Sequence, residues 1–184
     1  MTIHSEHPFD TPDADRDPVR RLRARTGTTV SLWTAGEGVE RAGLTVSSYL
    51  LASGEPGRIV ALLHPESDLL ERLEETGTAV VALLEWRHRD LADAFAGVMP
   101  APGGPFRLGT FEQTSWGPRL TTAATWAGVR LDPASRRDVG WSVLVEADVE
   151  HVAVEPGGNS GEEPDPLVHR RGRYQRPPRP ADYS

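Results

Sequence analysis

The chain has 184 residues and a formal net charge of −7, with 38% hydrophobic and 26% charged residues. That length fits one domain with a real core, and the modest apolar share predicts unstructured ends. There is no cysteine, which excludes disulfides, thiolate zinc sites, iron–sulfur clusters and a cysteine nucleophile. All 20 basic residues are arginine, so chemistry that needs lysine, such as Schiff bases and Walker-type phosphate loops, is excluded as well. The acidic balance argues against a general nucleic-acid binder. No apolar run approaches the roughly 20 residues that span a bilayer. The first residues lack the basic head and apolar stretch of a signal peptide, so a soluble cytoplasmic protein is expected.

Residues 1–17 are polar, acidic and proline-bearing and read as a disordered arm. Asp17-Pro18 opens a short, arginine-rich helix, of which Val19, Leu22 and Ala24 can face a core. Thr26 to Thr34 and Val39 to Tyr49 read as two strands of a hairpin about Ala35-Gly36-Glu37-Gly38. Arg58 to Leu63 is a continuous apolar run and predicts a strand buried on both faces. Ser67 starts a helix carrying Leu69, Leu70 and Leu73, and Gly77 stops it. Thr78 to Leu84 is a second buried strand, and Arg87 to Ala96 a further helix. Residues 97–118, with four prolines and five glycines, predict a long loop whose aromatics pack on something. Leu120 to Leu131 and Val139 to Val154 read as long strands joined at Asp132-Pro133-Ala134-Ser135. Residues 155–165 read as a polar loop, Leu167, Val168 and Tyr174 as a last strand, and 177–184 as a tail. Short connections between most strands favour antiparallel pairing, and the helices are too few for a doubly wound sheet. The expected fold is mainly β: a closed or nearly closed antiparallel barrel spanning 18–176, with two or three short helices.

None of the six histidines has a second ligand at metal-binding spacing, so no metal site is expected; His4, His7, His88 and His151 read as solvated. No catalytic dyad or serine-nucleophile motif is visible. Three segments stand out. In Gly43-Leu44-Thr45-Val46-Ser47-Ser48-Tyr49, small hydroxyl side chains beside a glycine suit the approach of a planar ligand or phosphate, or simply a polar strand edge. Ser67 at a helix start suits an anion, or only caps the helix. Pro166-Leu167-Val168-His169-Arg170-Arg171-Gly172-Arg173-Tyr174 sets arginines beside aromatics, as a phosphate-bearing planar ligand requires, or forms a solvated basic strand.

The collinear series of these segments resembles the flavin reductase-like, FMN-binding split-barrel family, over about residues 18–176. That family runs roughly G-x-T-V-S-S-F, a serine turn with D-P-P, S-x-T at a helix start, S-G-x-F-x-V-N-V-L, L-A-x-x-F-A, G-D-H and P-L-x-Y-H-x-G-x-Y. Here the matching segments are Gly43 to Tyr49, Ser53 to Gly57, Ser67 to Leu69, Thr76 to Leu84, Leu91 to Ala96, Gly140 to Ser142 and Pro166 to Tyr174. The resemblance implies a split barrel, usually a homodimer, that binds FMN or FAD and takes hydride from NAD(P)H, and a monooxygenase partner that receives reduced flavin. It implies Thr45, Val46, Ser47 and Ser48 along the isoalloxazine and ribityl chain. Ser53, Ser67 and Arg171 fall on the phosphate side, and Trp141 and Ser142 on the nicotinamide side. No acid–base residue is required for hydride transfer, so no catalytic side chain is expected. The chain departs from the pattern at Trp141 and Ser142 (Asp and His in the family), Leu69 (Thr), Gly57 (Pro) and Arg170 (His). Leu50 and Leu51 stand where small hydroxylic residues are usual. At about 1 kcal/mol per lost hydrogen bond, flavin binding is expected to weaken by roughly one or two powers of ten. These departures also motivate an alternative, a non-catalytic or diverged barrel that binds flavin, haem or another planar cofactor. Nucleic-acid binding through the late arginines is a weaker third reading.

Overall fold

The hairpin expected between Thr26 and Tyr49 forms, but in pieces that serve different sheets. In a computed structural model that describes residues 18–154 and 165–177, helix α1 (Pro18–Thr26) leads into β1 (Thr28–Thr29), β2 (Ser31–Ala35) and β3 (Ala42–Val46). The chain then breaks at Ser47-Ser48 and resumes as β4 (Tyr49–Ala52) and β5 (Arg58–Leu63). Helix α2 (Asp68–Thr76), β6 (Thr78–Leu83) and helix α3 (Arg89–Phe95) follow. The later strands are β7 (Phe111–Gln113), β8 (Pro118–Leu120), β9 (Thr125–Val139), β10 (Ser142–Val154), β11 (Val168–Arg170) and β12 (Arg173–Gln175). The expected arm at 1–17, the loop at 155–164 and residues 178–184 of the tail lie outside the described residues.

Seven strands form one curled antiparallel sheet in the order β3-β2-β6-β9-β10-β5-β4. The strands at its two edges, β3 and β4, are neighbours in sequence, separated by Ser47 and Ser48 alone. A link that short reaches at most about 10 Å, so the sheet must curl until its edges approach. Its concave face holds one core: Trp33, Ile59, Ala61, Leu63, Val81, Val129, Val143 and Val145, closed by Leu69, Leu70 and Leu73 of α2. The other face of β2, β6 and β9 carries a second core, where Leu32, Val80, Ala82 and Trp126 meet Leu91 and Phe95 of α3. Two cores on opposite faces explain why Thr78–Leu83 reads as an unbroken apolar run. Helix α2 begins and ends as the sequence predicts: Ser67 Oγ accepts from the Leu70 amide at 3.3 Å, and Gly77 takes a left-handed φ of 69° and donates to Leu73.

Several expectations are corrected. Asp132 to Ser135 does not join two strands; β9 runs through it and turns at Gly140-Trp141. The segment bulges out, because four residues of β9 face one of β10 between the Asp132↔Glu146 and Arg137↔Leu144 pairs. Ser135 Oγ holds the bulge, donating to the Asp132 carbonyl (2.6 Å) and accepting from the Glu146 amide (2.8 Å). Strand β5 is buried on one face only: Ile59, Ala61 and Leu63 point inward, while Leu62 is exposed. The first turn of the expected Arg87–Ala96 helix is a separate 3-10 turn, Trp86–His88. Helix α1 buries none of its residues, and Val19 and Leu22 stand exposed. Residues 97–118 are not a free loop. A 3-10 turn (Pro105–Leu108) and the β7–β8 ribbon pack Phe106 and Phe111 edge-on against each other and against Phe95, with Arg41 over Phe106.

Gly43 and His88 have packing roles the sequence does not reveal. A Cβ at Gly43 would stand 2.6 Å from Phe95 Cε1, so this glycine admits α3 against β3 rather than a ligand. His88 is buried, not solvated: Nδ1 accepts from the Glu85 amide (3.1 Å) and Nε2 pairs with Thr122 Oγ1 (3.0 Å). The acceptor role of Nδ1 requires a neutral ring with its proton on Nε2.

Gly43→Ala is expected to overpack the Phe95 contact and lower stability by roughly 1–3 kcal/mol in urea unfolding. Burial holds the His88 pKa below its ordinary value. The unfolded chain therefore takes up this proton first, and the stability contribution is present above the unfolded pKa and lost as pH falls. Thermal midpoints measured from about pH 7.5 to 5.5 should fall for the wild type. They should fall less steeply for His88→Gln; equal slopes would remove His88 from the account.

Candidate functional site

The seam where the sheet curls back on itself gathers most of the hydroxyl residues singled out in the sequence. Val46 ends β3 opposite Ser31 of β2, whose Oγ donates to the Val46 carbonyl (2.9 Å). Ser48 reaches the other edge, its carbonyl accepting from the Leu62 amide of β5 (2.9 Å). Between these two stitches the chain belongs to no strand. Among the described residues the amides of Ser47 and Ser48 make no backbone hydrogen bond, and the Ser47 hydroxyl has no partner. Both serines are half-buried.

Thr45 is engaged elsewhere. Its Oγ1 donates to the Ala92 carbonyl of α3 at 2.7 Å, so it docks the helix on β3. Ser67 stands at the same end of the barrel, because its amide donates to the carbonyl of His64, which directly follows β5. Its own hydroxyl donates to that carbonyl at 2.8 Å. Ser142 and Trp141 belong to the tip of the β9–β10 hairpin: Val143 pairs with Leu63, so the tip extends beyond the end of β5. Trp141 is 89% exposed. Ser53 is not brought to this end. It lies in the exposed turn after β4, whose far residue Ala52 pairs with Arg58 at the start of β5. Arg171 sits on the β11–β12 turn, its amide donating to the Ala24 carbonyl of α1 (2.7 Å).

Residues that the sequence reading passed over fill in the rest. Arg23 of α1 donates to Ser48 Oγ, which ties the basic helix to the seam. Tyr49 OH pairs with Thr29 Oγ1 at 2.7 Å, and burial raises the Tyr49 pKa. His169 of β11 lies edge-on to Tyr174 of β12, centroids 5.8 Å apart. Burial, and next the Arg23 guanidinium, hold the His169 pKa down, favouring a neutral ring. Burial, and next the negative charge of Asp93, push the Tyr174 pKa well above the ordinary tyrosine range. The signal for this cluster was the recurrence of Tyr, His and Arg in one short C-terminal stretch; that it meets α1 and α3 follows only from the β1–β11 pairing.

What the seam offers is a short stretch of unpaired amides with a free hydroxyl beside them, flanked by an arginine and by neutral aromatic groups. Oxidised flavin presents a planar edge of carbonyl and ring-nitrogen acceptors, which such donors suit. The donor set therefore fits a flavin. It fits a metal poorly, and no group of three or more possible metal ligands occurs among the described residues. A separate groove of about 810 Å³ lies between the β2–β3 turn, α2 and residues 113–117, lined by Gly36, Arg72, Thr76, Gln113 and Trp116, away from the seam.

No curated protein sequence matches the chain. Among solved structures, the NADH:FAD oxidoreductase SgcE6 of Streptomyces globisporus C-1027, in complex with NAD and FAD fragments, superposes with a TM-score of 0.77 at 21% identity. The match covers 94% of this chain and 98% of that one. The styrene monooxygenase flavin reductase of Pseudomonas putida S12 gives 0.74 at 22% identity, over 89% and 99%. Flavin reductase PheA2 in its native state gives 0.75 at 19% identity, over 89% and 100%. These likenesses establish the split-barrel fold. The family model "Flavin reductase like domain" matches residues 23–178, a span that takes in the seam, α2 and both late hairpins, and the chain accordingly belongs to the flavin reductase-like family.

Proposed function

We propose that this NAD(P)H:flavin oxidoreductase holds its flavin along the seam, with the amides and hydroxyls of Ser47 and Ser48 on the ring edge. The observation that carries the reading is the pair of unpaired seam amides beside a free serine hydroxyl. When bound, flavin supplies an acceptor for the hydride of NAD(P)H. The chain's own part is positional and electrostatic. Thr45 and Val46 shape the floor through backbone, since the Thr45 hydroxyl already serves Ala92. Arg23 beside Ser48 places positive charge where the reduced ring gains negative charge. Ser67 and Arg171 lie on the phosphate side, and Ser53 belongs to a more distant rim of β4. Trp141 and Ser142 border the nicotinamide side, where the exposed indole takes the place of the family's histidine. No side chain here must gain or lose a proton for hydride transfer. Holding the two rings face to face at contact distance is the larger part of the catalysis.

Within this reading the chain acts as a homodimer. Leu50, Val60, Leu62 and Leu144 share the outer face of β4, β5 and β10 by register, and Leu50 is 75% exposed. With Trp141 beyond them, they form an apolar strip that monomeric proteins rarely leave open. Reduced flavin passes to a monooxygenase partner, and the pair works in the cytoplasm. The acidic net charge and the fit of the seam to flavin leave little support for the non-catalytic barrel or the nucleic-acid reading.

Ser47→Ala combined with Ser48→Ala is expected to weaken flavin binding at least tenfold in a fluorescence titration; unchanged binding would remove the seam assignment. By light scattering the wild type should have the mass of two chains, and Leu50→Glu with Leu62→Glu should have the mass of one. A monomeric wild type would refute the dimer.

A further inference from the structure

Helix α1 carries Arg20, Arg21, Arg23 and Arg25 and no acidic residue in its nine positions. Like charges three and four residues apart destabilise an isolated helix, so this sequence lacks the local compensation that most surface helices have. The β11–β12 turn brings three more arginines to the same place. The Arg171 amide donates to Ala24, and the Arg170 side chain lies against Gly27, 3.5 Å from where a Cβ would stand. Arg173 completes the turn. Six of these side chains are exposed, and Arg20 is half-buried. Among the described residues, Arg21, Arg23, Arg25, Arg170, Arg171 and Arg173 make no ion pair. By contrast Arg58, Arg72, Arg87, Arg130 and Arg136 elsewhere each meet a carboxylate. A protein of net charge −7 thus gathers six arginines without an ion pair at one place, while Arg41, Arg107 and Arg137, the other described arginines without one, lie apart on other elements.

Two further observations point to a ligand. Arg171 has a φ of 53°, the only non-glycine residue with positive φ among those described. A two-residue turn with positive φ favours Asn or Gly at that position, and such strain is kept where the side chain has work to do. The crown is also continuous with the seam, because Arg23 donates to Ser48.

We propose that this arginine crown is the subsite for the pyrophosphate of a dinucleotide whose ring lies on the seam. The inference rests on the flavin reductase reading and extends it from the ring to the far end of the ligand. Guanidinium forks bind phosphate oxygens in pairs, and several on a rigid helix and a pinned turn hold a pyrophosphate without recruiting a loop. Both FAD and NAD(P)H carry that group; FMN does not.

The test is calorimetric titration of the full chain with ADP-ribose, which has the pyrophosphate but neither redox ring. Wild type should bind it, more weakly as salt is raised. Arg173→Gln, and separately Arg21→Gln with Arg25→Gln, should each weaken it about tenfold or more. Arg136→Gln, a surface arginine paired with Glu74, should change it less than about twofold. Using Arg173 keeps the test clear of helix α1 should the double variant melt that helix. The source follows from a second arm: loss of FAD affinity with FMN affinity kept assigns the pyrophosphate to the flavin. A raised KM for NADH with both flavins bound as before assigns it to the nicotinamide donor. No ADP-ribose binding by wild type at millimolar concentration, or equal binding by the Arg173 variant, would overturn the proposal; so would a crown that binds only an acidic protein. Absence of NADH oxidation by wild type with added flavin would instead strike the reductase reading, and it leaves the ADP-ribose titration intact.

Discussion

Everything at the functional end of this protein depends on a link of two residues. Strands β3 and β4 lie at opposite edges of a seven-stranded sheet, yet only Ser47 and Ser48 separate them. The sheet has no choice but to curl, and its concave face becomes a core because the two edges are tied. The two stitches, Ser31 Oγ to the Val46 carbonyl and the Leu62 amide to the Ser48 carbonyl, fix where the backbone leaves one ladder and joins the other. Backbone polar groups at such a crossing cannot all find ladder partners. The unsatisfied amides are therefore a consequence of topology, and the flavin seat proposed above is built upon them.

The second core makes this arrangement firm. Strands β2 and β6 are covered on both faces, by α2 and the barrel interior on one side and by α3 with the β7–β8 ribbon on the other. Thr45 and Gly43 sit at this junction. The threonine hydroxyl anchors Ala92, and the missing side chain of the glycine admits Phe95. Residues that look like ligand-binding material in a bare sequence thus hold the support under the proposed site, and Ser47 beside them keeps its hydroxyl free.

The local elements were legible because their signals are local. Ser67 and Gly77 bracket α2 by capping chemistry, and the Thr78–Leu83 run announces burial on both faces. The seam itself was legible as a hydroxyl-rich stretch next to a strand. The sequence could not tell that Thr45 would be occupied and Ser47 free, since that depends on where α3 lands. The Asp132-Pro133 signal was read as a hairpin turn because its side-chain bonds are those of a turn; here the turn is embedded as a bulge within a continuing strand. Arg58–Leu63 looked buried twice over because its outer face is apolar, yet no element of this chain covers Leu62 among the described residues. His88 looked solvated because its second partner, Thr122, comes from a distant part of the sequence, although the first, the Glu85 amide, is local. The Arg23–Ser48 contact was out of reach for the same reason.

The tie between β3 and β4 also bears on how the protein behaves at high concentration. Exposed strand edges with apolar side chains are templates for pairing with other chains. Ala42–Val46 and Tyr49–Ala52 are two such edges, the second bearing the exposed Leu50 and Leu51. Loosening at Ser47-Ser48 would part them and present both to the solvent at once. In the seat proposed above a flavin bridges the two edges, so its occupancy would guard the chain against edge-to-edge aggregation as well as serve its chemistry.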